Sequence, residues 1–366
     1  MNIKTKYNLP ILISLTLLPL VSIFFLPYYV YNYGIVWQEP FILIFGWFLA
    51  GMGITIGYHR YFSHRAFKTN MFFEWCLMIF GSMALQNTII NWCSDHRRHH
   101  KKLDTKDDPY SIKEGFFHAH IGWIVKNNDY TTNGINDLKI KKAVQFQSKY
   151  YWFIAIFLSF IFPLILGFLF NRPLGGLLWG GILRVTLVHH FTFFINSLCH
   201  FIGKRTYELD TTARDSWFMA LFTFGEGYHN FHHKFQWDYR NGVSWYSFDP
   251  SKWIIKILSY FNITYELRQA SEHSILKAKI MTLHQKINNL SGIKNNYKNR
   301  MKKIMNHSSK NLKSLMIVEK KYELLKKQSI SNYQKLFYES KIKKHKIELQ
   351  QSFSSLMIIF LNLKNL

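Results

Sequence analysis

The stretch P-F-I-L-I-F-G-W-F-L-A-G-M-G-I-T-I-G-Y-H-R-Y-F-S-H (40–64) joins the two readings that decide the fold. Its first part, Pro40 to Tyr58, is uncharged and apolar. A helix needs about 20 such residues to cross a bilayer. Its end carries His59 and His64. The run points to a membrane span, and the histidines at its edge point to chemistry at the membrane surface.

Both features recur. Leu9–Val30, Tyr150–Phe170 and Leu174–Ile195 are further runs of spanning length, the last interrupted by Arg184. The core of the first is too long for a secretory signal, and no small-residue cleavage site follows it, so it is expected to stay as a span. Three more histidine clusters lie at or near the ends of apolar stretches: H-R-R-H-H (96–100), N-S-L-C-H (196–200) and H-N-F-H-H (229–233). On a helix, positions i, i+3 and i+4 share a face. His96, His99 and His100 therefore point one way, as do His229, His232 and His233, and Asn196 stands one turn from His200. His59 and His64 break the rule. Five residues of α-helix turn about 140°, so both reach one metal only if the helix frays there. His118, His120, His189 and His190 fall outside the repeated spacings and are expected to play structural or supporting roles.

Neutral imidazole binds iron, zinc, copper and nickel. Nine imidazoles exceed the three or four protein ligands usual at one zinc, and predict two metals side by side. Neutral ligands leave the metal charge uncompensated. Asp95, Glu226 and Asp238 flank the clusters and are expected to accept the outward ring N–H groups. A hydrolase needs one or two ions to acidify water, so a membrane zinc hydrolase is the less favoured reading. O2 activation needs a redox-active pair, and imidazole resists the oxidation that thiolates undergo. The membrane setting then implies an apolar substrate.

Lys4 and Lys6 precede the first run, Val30–Glu39 has no Lys or Arg, and the segment from Arg60 to Lys149 is rich in both. The positive-inside rule then predicts a multi-pass protein with its N-terminus, every histidine cluster and its C-terminus in the cytosol. Cys76, Cys93 and Cys199 are too few for a disulfide framework and fit a reducing compartment.

Near residue 266 the composition shifts. Residues 271–366 hold 20 Lys or Arg against 5 Glu, which is +15 of the chain's +25. Apolar residues recur there with a 4-3 spacing, which predicts helices or a short coiled coil, broken near Asn306, Ser308 and Ser309. The domains expected are 1–265, histidine-bearing, and 266–366, a Lys/Asn-rich tail of unknown role. The charge suits anionic lipid, but no nucleic-acid-binding motif accompanies it.

Residues 10–265 resemble the membrane acyl-CoA desaturases of the stearoyl-CoA Δ9 type, in their bacterial form. The resemblance rests on G-Y-H-R-Y-F-S-H-R-A-F (57–67), D-H-R-R-H-H (95–100), D-D-P-Y (107–110), F-F-H-A-H-I-G-W (116–123), N-S-L-C-H (196–200), A-R-D-S (213–216), G-E-G-Y-H-N-F-H-H (225–233) and W-D-Y-R-N-G (237–242). It implies an all-α integral membrane protein: four transmembrane helices under a cytosolic helical cap holding a di-iron site, with the basic helical tail added. It assigns one iron to His59, His64, His96, His100 and His232. The other falls to His99, His200, His229 and His233, with Asn196 acting through a water. Asn87 and Asp95 match positions near the acyl-CoA head group. Ser94 stands where an arginine is common, and Lys126, Asn127 and Asn128 replace a basic pair. The implied reaction is O2-dependent removal of two hydrogens from neighbouring methylenes of a fatty acyl-CoA. No His-Pro-Gly-Gly haem signature occurs, so a separate electron donor, cytochrome b5 or ferredoxin with its reductase, is implied. A di-iron lipid hydroxylase, or a desaturase of other regiospecificity, is the nearest alternative.

Overall fold

The computed structural model describes residues 7–126, 132–290, 295–326 and 330–364. Lys4, Lys6, Asn127 and Asn128 lie outside them. Among the described residues, four helices are long and apolar enough to cross a membrane, including α1 (Leu9–Tyr33) and α2 (Gln38–Ser63). After α2 come α3 (Met71–Ser82) and α4 (Ile89–Lys102). The other two spans are α5 (Lys142–Phe168) and α6 (Pro173–Phe201). The short helices α7 (Trp217–Phe222), α8 (His229–Lys234) and α9 (Pro250–Tyr260) also belong to this unit, which comprises residues 1–204 and 211–269. The protein is an all-α integral membrane protein. Among the described residues the sheet is one two-residue antiparallel pair that ties 68–69 to 264–265, with Lys68 opposite Tyr265.

The outer faces of the spans suit lipid. Ile13, Phe24, Phe153 and Leu169 are all more than half exposed, yet carry no polar group that hydrocarbon would leave unpaired. The charged residues Arg184 and Glu39 within the spans turn inward. Arg184 is 1% exposed and donates from Nε to the Gly180 carbonyl at 2.7 Å and from Nη1 to the Met83 carbonyl at 2.8 Å. At the end of the spans remote from the histidines, Tyr29 donates to buried Glu39 at 2.7 Å, and Arg172 donates to the Tyr33 carbonyl at 2.7 Å.

α2 continues five residues past the predicted run, and it changes winding. Gly53–Ser63 is π-helical. A π-turn closes hydrogen bonds between residues five apart, and His64 N–H donates to the His59 carbonyl at 3.1 Å. No fraying is needed: residues five apart stack one turn above each other. This segment is wholly buried and packs on α3 at close range. A Cβ on Gly53 would lie 2.1 Å from the Gly81 nitrogen. The core beneath the histidines is built from Ile56, Phe62, Leu77, Met78 and Ile89.

The second unit, residues 205–210 and 270–366, holds α10 (Glu272–Asn288), α11 (Asn295–Lys326) and α12 (Asn332–Lys364). Its core contains Leu283, Ile287, Met301, Leu315, Leu349, Leu356 and Ile359. The break expected near 306–311 does not occur: α11 runs through it. Ser308 turns its hydroxyl back to the Ile304 carbonyl at 2.9 Å, and Asn311 bonds to His307 at 2.9 Å. Residues that compete with the backbone in isolation are satisfied within the helix.

Candidate metal centre

Four elements deliver the nine imidazoles. The π-helical end of α2 supplies His59 and His64, and α4 supplies His96, His99 and His100. The last turn of α6 supplies His200, and α8 supplies His229, His232 and His233. Their ring nitrogens form two groups. One is His59, His64, His96, His100 and His232; the other is His99, His200, His229 and His233. Within each group all the nitrogens lie within 4.8 Å of one another.

The close approaches are all Nε2 to Nε2. In the first group they are His59 to His232 at 3.0 Å, His64 to His96 at 2.8 Å and His232 to His100 at 3.0 Å. In the second they are His200 to His229 at 3.0 Å, His229 to His233 at 3.0 Å and His99 to His233 at 3.4 Å. The groups adjoin, since the rings of His100 and His233 stack at 4.3 Å.

The opposite ring atoms explain why Nε2 faces inward. His59 Nδ1 meets Glu226 Oε2 at 2.7 Å, and His99 Nδ1 meets Asp108 Oδ1 at 2.8 Å. His200 Nδ1 meets Thr212 Oγ1 at 2.8 Å, a hydroxyl that donates onward to Asp104 at 2.7 Å and so accepts from the ring. His96 Nδ1 meets the Tyr110 hydroxyl at 3.2 Å. Acceptors behind His59, His99 and His200 hold the proton on Nδ1, so each of these neutral rings turns a lone pair into the cluster. Facing lone pairs repel unless a cation lies between them. At a metal–nitrogen distance of about 2.1 Å, two ligands at right angles stand roughly 3.0 Å apart. The donor set thus fits metal ions on chemistry and on spacing.

Electrostatics point the same way. Burial first, then the neighbouring imidazoles, push His64, His96, His100, His229, His232 and His233 well below the usual histidine range. At neutral pH these rings are unprotonated and free to ligate. Behind His59 lies a buried network. Arg60, 1% exposed, donates to Glu226 at 3.0 Å and to Asp249 at 2.9 Å. Burial opposes ionisation of Glu226, but His59 and Arg60 outweigh it and hold the carboxyl below its ordinary value. One guanidinium between two carboxylates leaves one negative charge beside the cluster, which suits a bound cation. Gly225 makes the approach possible. Its φ is +103, and a Cβ there would lie 2.4 Å from Asp249 Oδ1.

The other candidates fall elsewhere. Asp238 is buried and held by Arg240, with Nη2 to Oδ2 at 2.8 Å. Asp95 pairs with Arg98 at 2.9 Å, and burial lifts its carboxyl to about 6. Asn87 has φ +80; its Oδ1 accepts from Thr88 N–H at 2.8 Å and from Asn91 Nδ2 at 3.0 Å. Asn196 sits one turn before His200, partly buried, and its side chain makes no hydrogen bond to the described residues. His120 contacts His190 at 3.1 Å and Ser197 at 3.1 Å, outside both groups. Sequence reading missed Asp108, Tyr110 and Thr212 as ring partners. Asp108 and Tyr110 lie in the quoted D-D-P-Y motif, but nothing in its spacing links it to His99. Trp92, stacked on His96 at 4.9 Å, was also missed.

Known proteins match the part of the chain that carries this constellation. The family model described as fatty acid desaturase matches residues 35–265. A probable acyl-CoA desaturase of Schizosaccharomyces pombe is 41% identical over 242 residues, 65% of this chain and 50% of that protein. Acyl-CoA desaturase 1 of Saccharomyces cerevisiae is 38% identical over 249 residues, 67% of this chain and 49% of that protein. Stearoyl-CoA desaturase 5 of Bos taurus is 33% identical over 255 residues, 67% of this chain and 77% of that protein. The chain spans about half the length of the two fungal relatives it matches. The matched region contains all nine converging histidines and the carboxylates behind them, and the chain therefore belongs to the fatty acid desaturase family.

Proposed function

We propose that this protein is an O2-dependent desaturase of long-chain fatty acyl thioesters, acting on acyl-CoA at the Δ9 position. The observation that carries the reading is the division of nine inward-facing Nε2 atoms into adjoining groups of five and four. We assign one iron to His59, His64, His96, His100 and His232, and a second to His99, His200, His229 and His233. The unengaged side chain of Asn196 would orient a water at the second. When bound, the irons supply the oxidising power, drawn from O2, that removes two hydrogens from an unactivated chain.

The protein's own residues do the rest. Glu226, Asp108 and Thr212 fix the tautomer and direction of His59, His99 and His200, and Tyr110 holds the His96 ring in place, so that these rings need little reorganisation on metal binding. A cleft of about 620 Å³ reaches Asp108, the partner of His99, and is lined by Arg97, Arg98, Lys101, Lys102, Lys106 and Lys126 against the carboxylates Asp107, Asp108 and Glu114. These cations suit the phosphates of a CoA head group, with Asn87 and Asp95 as polar neighbours. The spans hold the apolar acyl chain, and the position of the bond formed follows from which carbons lie against the histidine cluster. The two electrons come from a separate donor, cytochrome b5 or ferredoxin with its reductase. The histidine face, the N-terminus and the C-terminus lie in the cytosol, in keeping with the distribution of Lys and Arg. The carboxy-terminal unit is an appended domain outside the catalytic one.

The test is expression in a host lacking its own desaturase, followed by location of double bonds in its fatty acids. A Δ9 cis product, abolished by His229→Ala, with two irons per purified chain, is the expected result. Hydroxylated products, or zinc in place of iron, would overturn the reading.

A further inference from the structure

The carboxy-terminal unit lies beyond the family match, and its α11–α12 hairpin has an unusual end. Tyr333, Leu336 and Phe337 are 79%, 66% and 44% exposed. Their i, i+3, i+4 spacing places them on one face of α12. Leu324, 55% exposed near the end of α11, adds to the apolar surface. Lysines surround it. Lys335 is exposed beside it, and Lys341 and Lys344 follow one and two turns on from Phe337 along the same face. Lys341 lies over the Phe337 ring at 4.4 Å. The nearby carboxylates are already engaged: Glu339 accepts from Tyr322 at 2.7 Å, and Glu323 pairs with Lys326 at 3.3 Å. Lys335, Lys341, Lys343 and Lys344 form no ion pair among the described residues.

We propose that this hairpin end docks on an anionic bilayer surface, with Tyr333, Leu336 and Phe337 inserted at the head-group level and the lysines on lipid phosphates. Exposed aromatic and aliphatic side chains beside lysines are what an interfacial helix presents to lipid. Long lysine stems let the charge reach the head groups while the methylenes stay with the apolar residues. A nucleic acid would match the charge but not the exposed Leu336 and Leu324. The chain also crosses the membrane, so the occupant is tethered to the site at high local concentration. The inference rests on the membrane spans alone and stands whether or not the enzymatic reading does.

The full-length protein with Cys76→Ser and Leu336→Cys, labelled with a polarity-sensitive fluorophore, tests this. Cys93 and Cys199 are 0% exposed and stay unlabelled. The protein is reconstituted in nanodiscs of phosphatidylcholine alone or of an equimolar mixture with phosphatidylglycerol. The emission is expected to shift to the blue only in the anionic discs. High salt should reverse the shift, as should the combined Lys335→Gln, Lys341→Gln, Lys343→Gln and Lys344→Gln variant. A label at exposed Ser354→Cys, far along α12, should not respond. Equal emission in both discs overturns the proposal. So does equal response at both positions, or a shift that appears only with several chains per disc or on adding RNA.

Discussion

Glu226 joins a ring of the site to the buried charge network behind it. It lies 2.7 Å from His59 Nδ1 and accepts from Arg60 and Asn241 at 3.0 and 2.7 Å. Glu226→Gln keeps the shape and removes the charge, leaving a buried guanidinium with one carboxylate and His59 without its anionic acceptor. Metal affinity is expected to fall about 10- to 100-fold, measured by equilibrium dialysis against a chelator. Stability should fall by about 3 kcal/mol, because half of a buried ionic network is lost. Gly225→Ala is a sharper test of the backbone. At φ +103 with Asp249 Oδ1 in the way, a methyl group should cost about 1–3 kcal/mol in strain, seen as a lower thermal midpoint in detergent. A variant as stable as the parent would show that the loop relaxes freely. The motif residues themselves were legible in sequence, while Asp108 and Thr212 were not, because their contacts join segments 9 and 12 residues from their rings with no helical period between.

The π-helical end of α2 is the element on which the five-imidazole group depends. An α-helix would turn His64 away from His59; the observed winding brings their ring centroids to 4.8 Å. Inserting one alanine between Tyr61 and Phe62 should rotate His64 by about 100° relative to His59. The expected result is loss of the metal in the first group with retention of the second, so that metal content measured by mass spectrometry halves. Unchanged content would mean that the segment rewinds at no cost. Sequence periodicity reads α-helices well but carries no mark for a π-turn here, since the apolar run shows no spacing change at Gly53. The carboxy-terminal helices show the opposite error. Asn306, Ser308 and Ser309 read as a break, yet side-chain bonds to Ile304 and His307 carry α11 through.

At the scale of the molecule, the concentration of neutral imidazoles links stability to pH. Burial and mutual proximity lower the pKa of His64, His96, His100, His229, His232 and His233 in the folded state, whereas unfolded histidines titrate near about 6.5. Below that pH the unfolded chain binds protons that the folded one refuses, so stability is present above about 6.5 and is lost as the pH falls. Protein stripped of metal should show a thermal midpoint that drops steeply from about pH 7 to about pH 5. A flat profile would mean that the rings protonate without leaving their places. The four apolar runs, the cationic excess of the tail and the pairing of histidines on helix faces were written in the sequence, because length, charge and 3.6-residue spacing are local properties. Which ring joins which group, which carboxylate stands behind it and how α2 is wound were decided only by the tertiary structure. Those depend on contacts between distant segments, as in Arg60 with Asp249, 189 residues apart, and no local pattern encodes a distance across the fold.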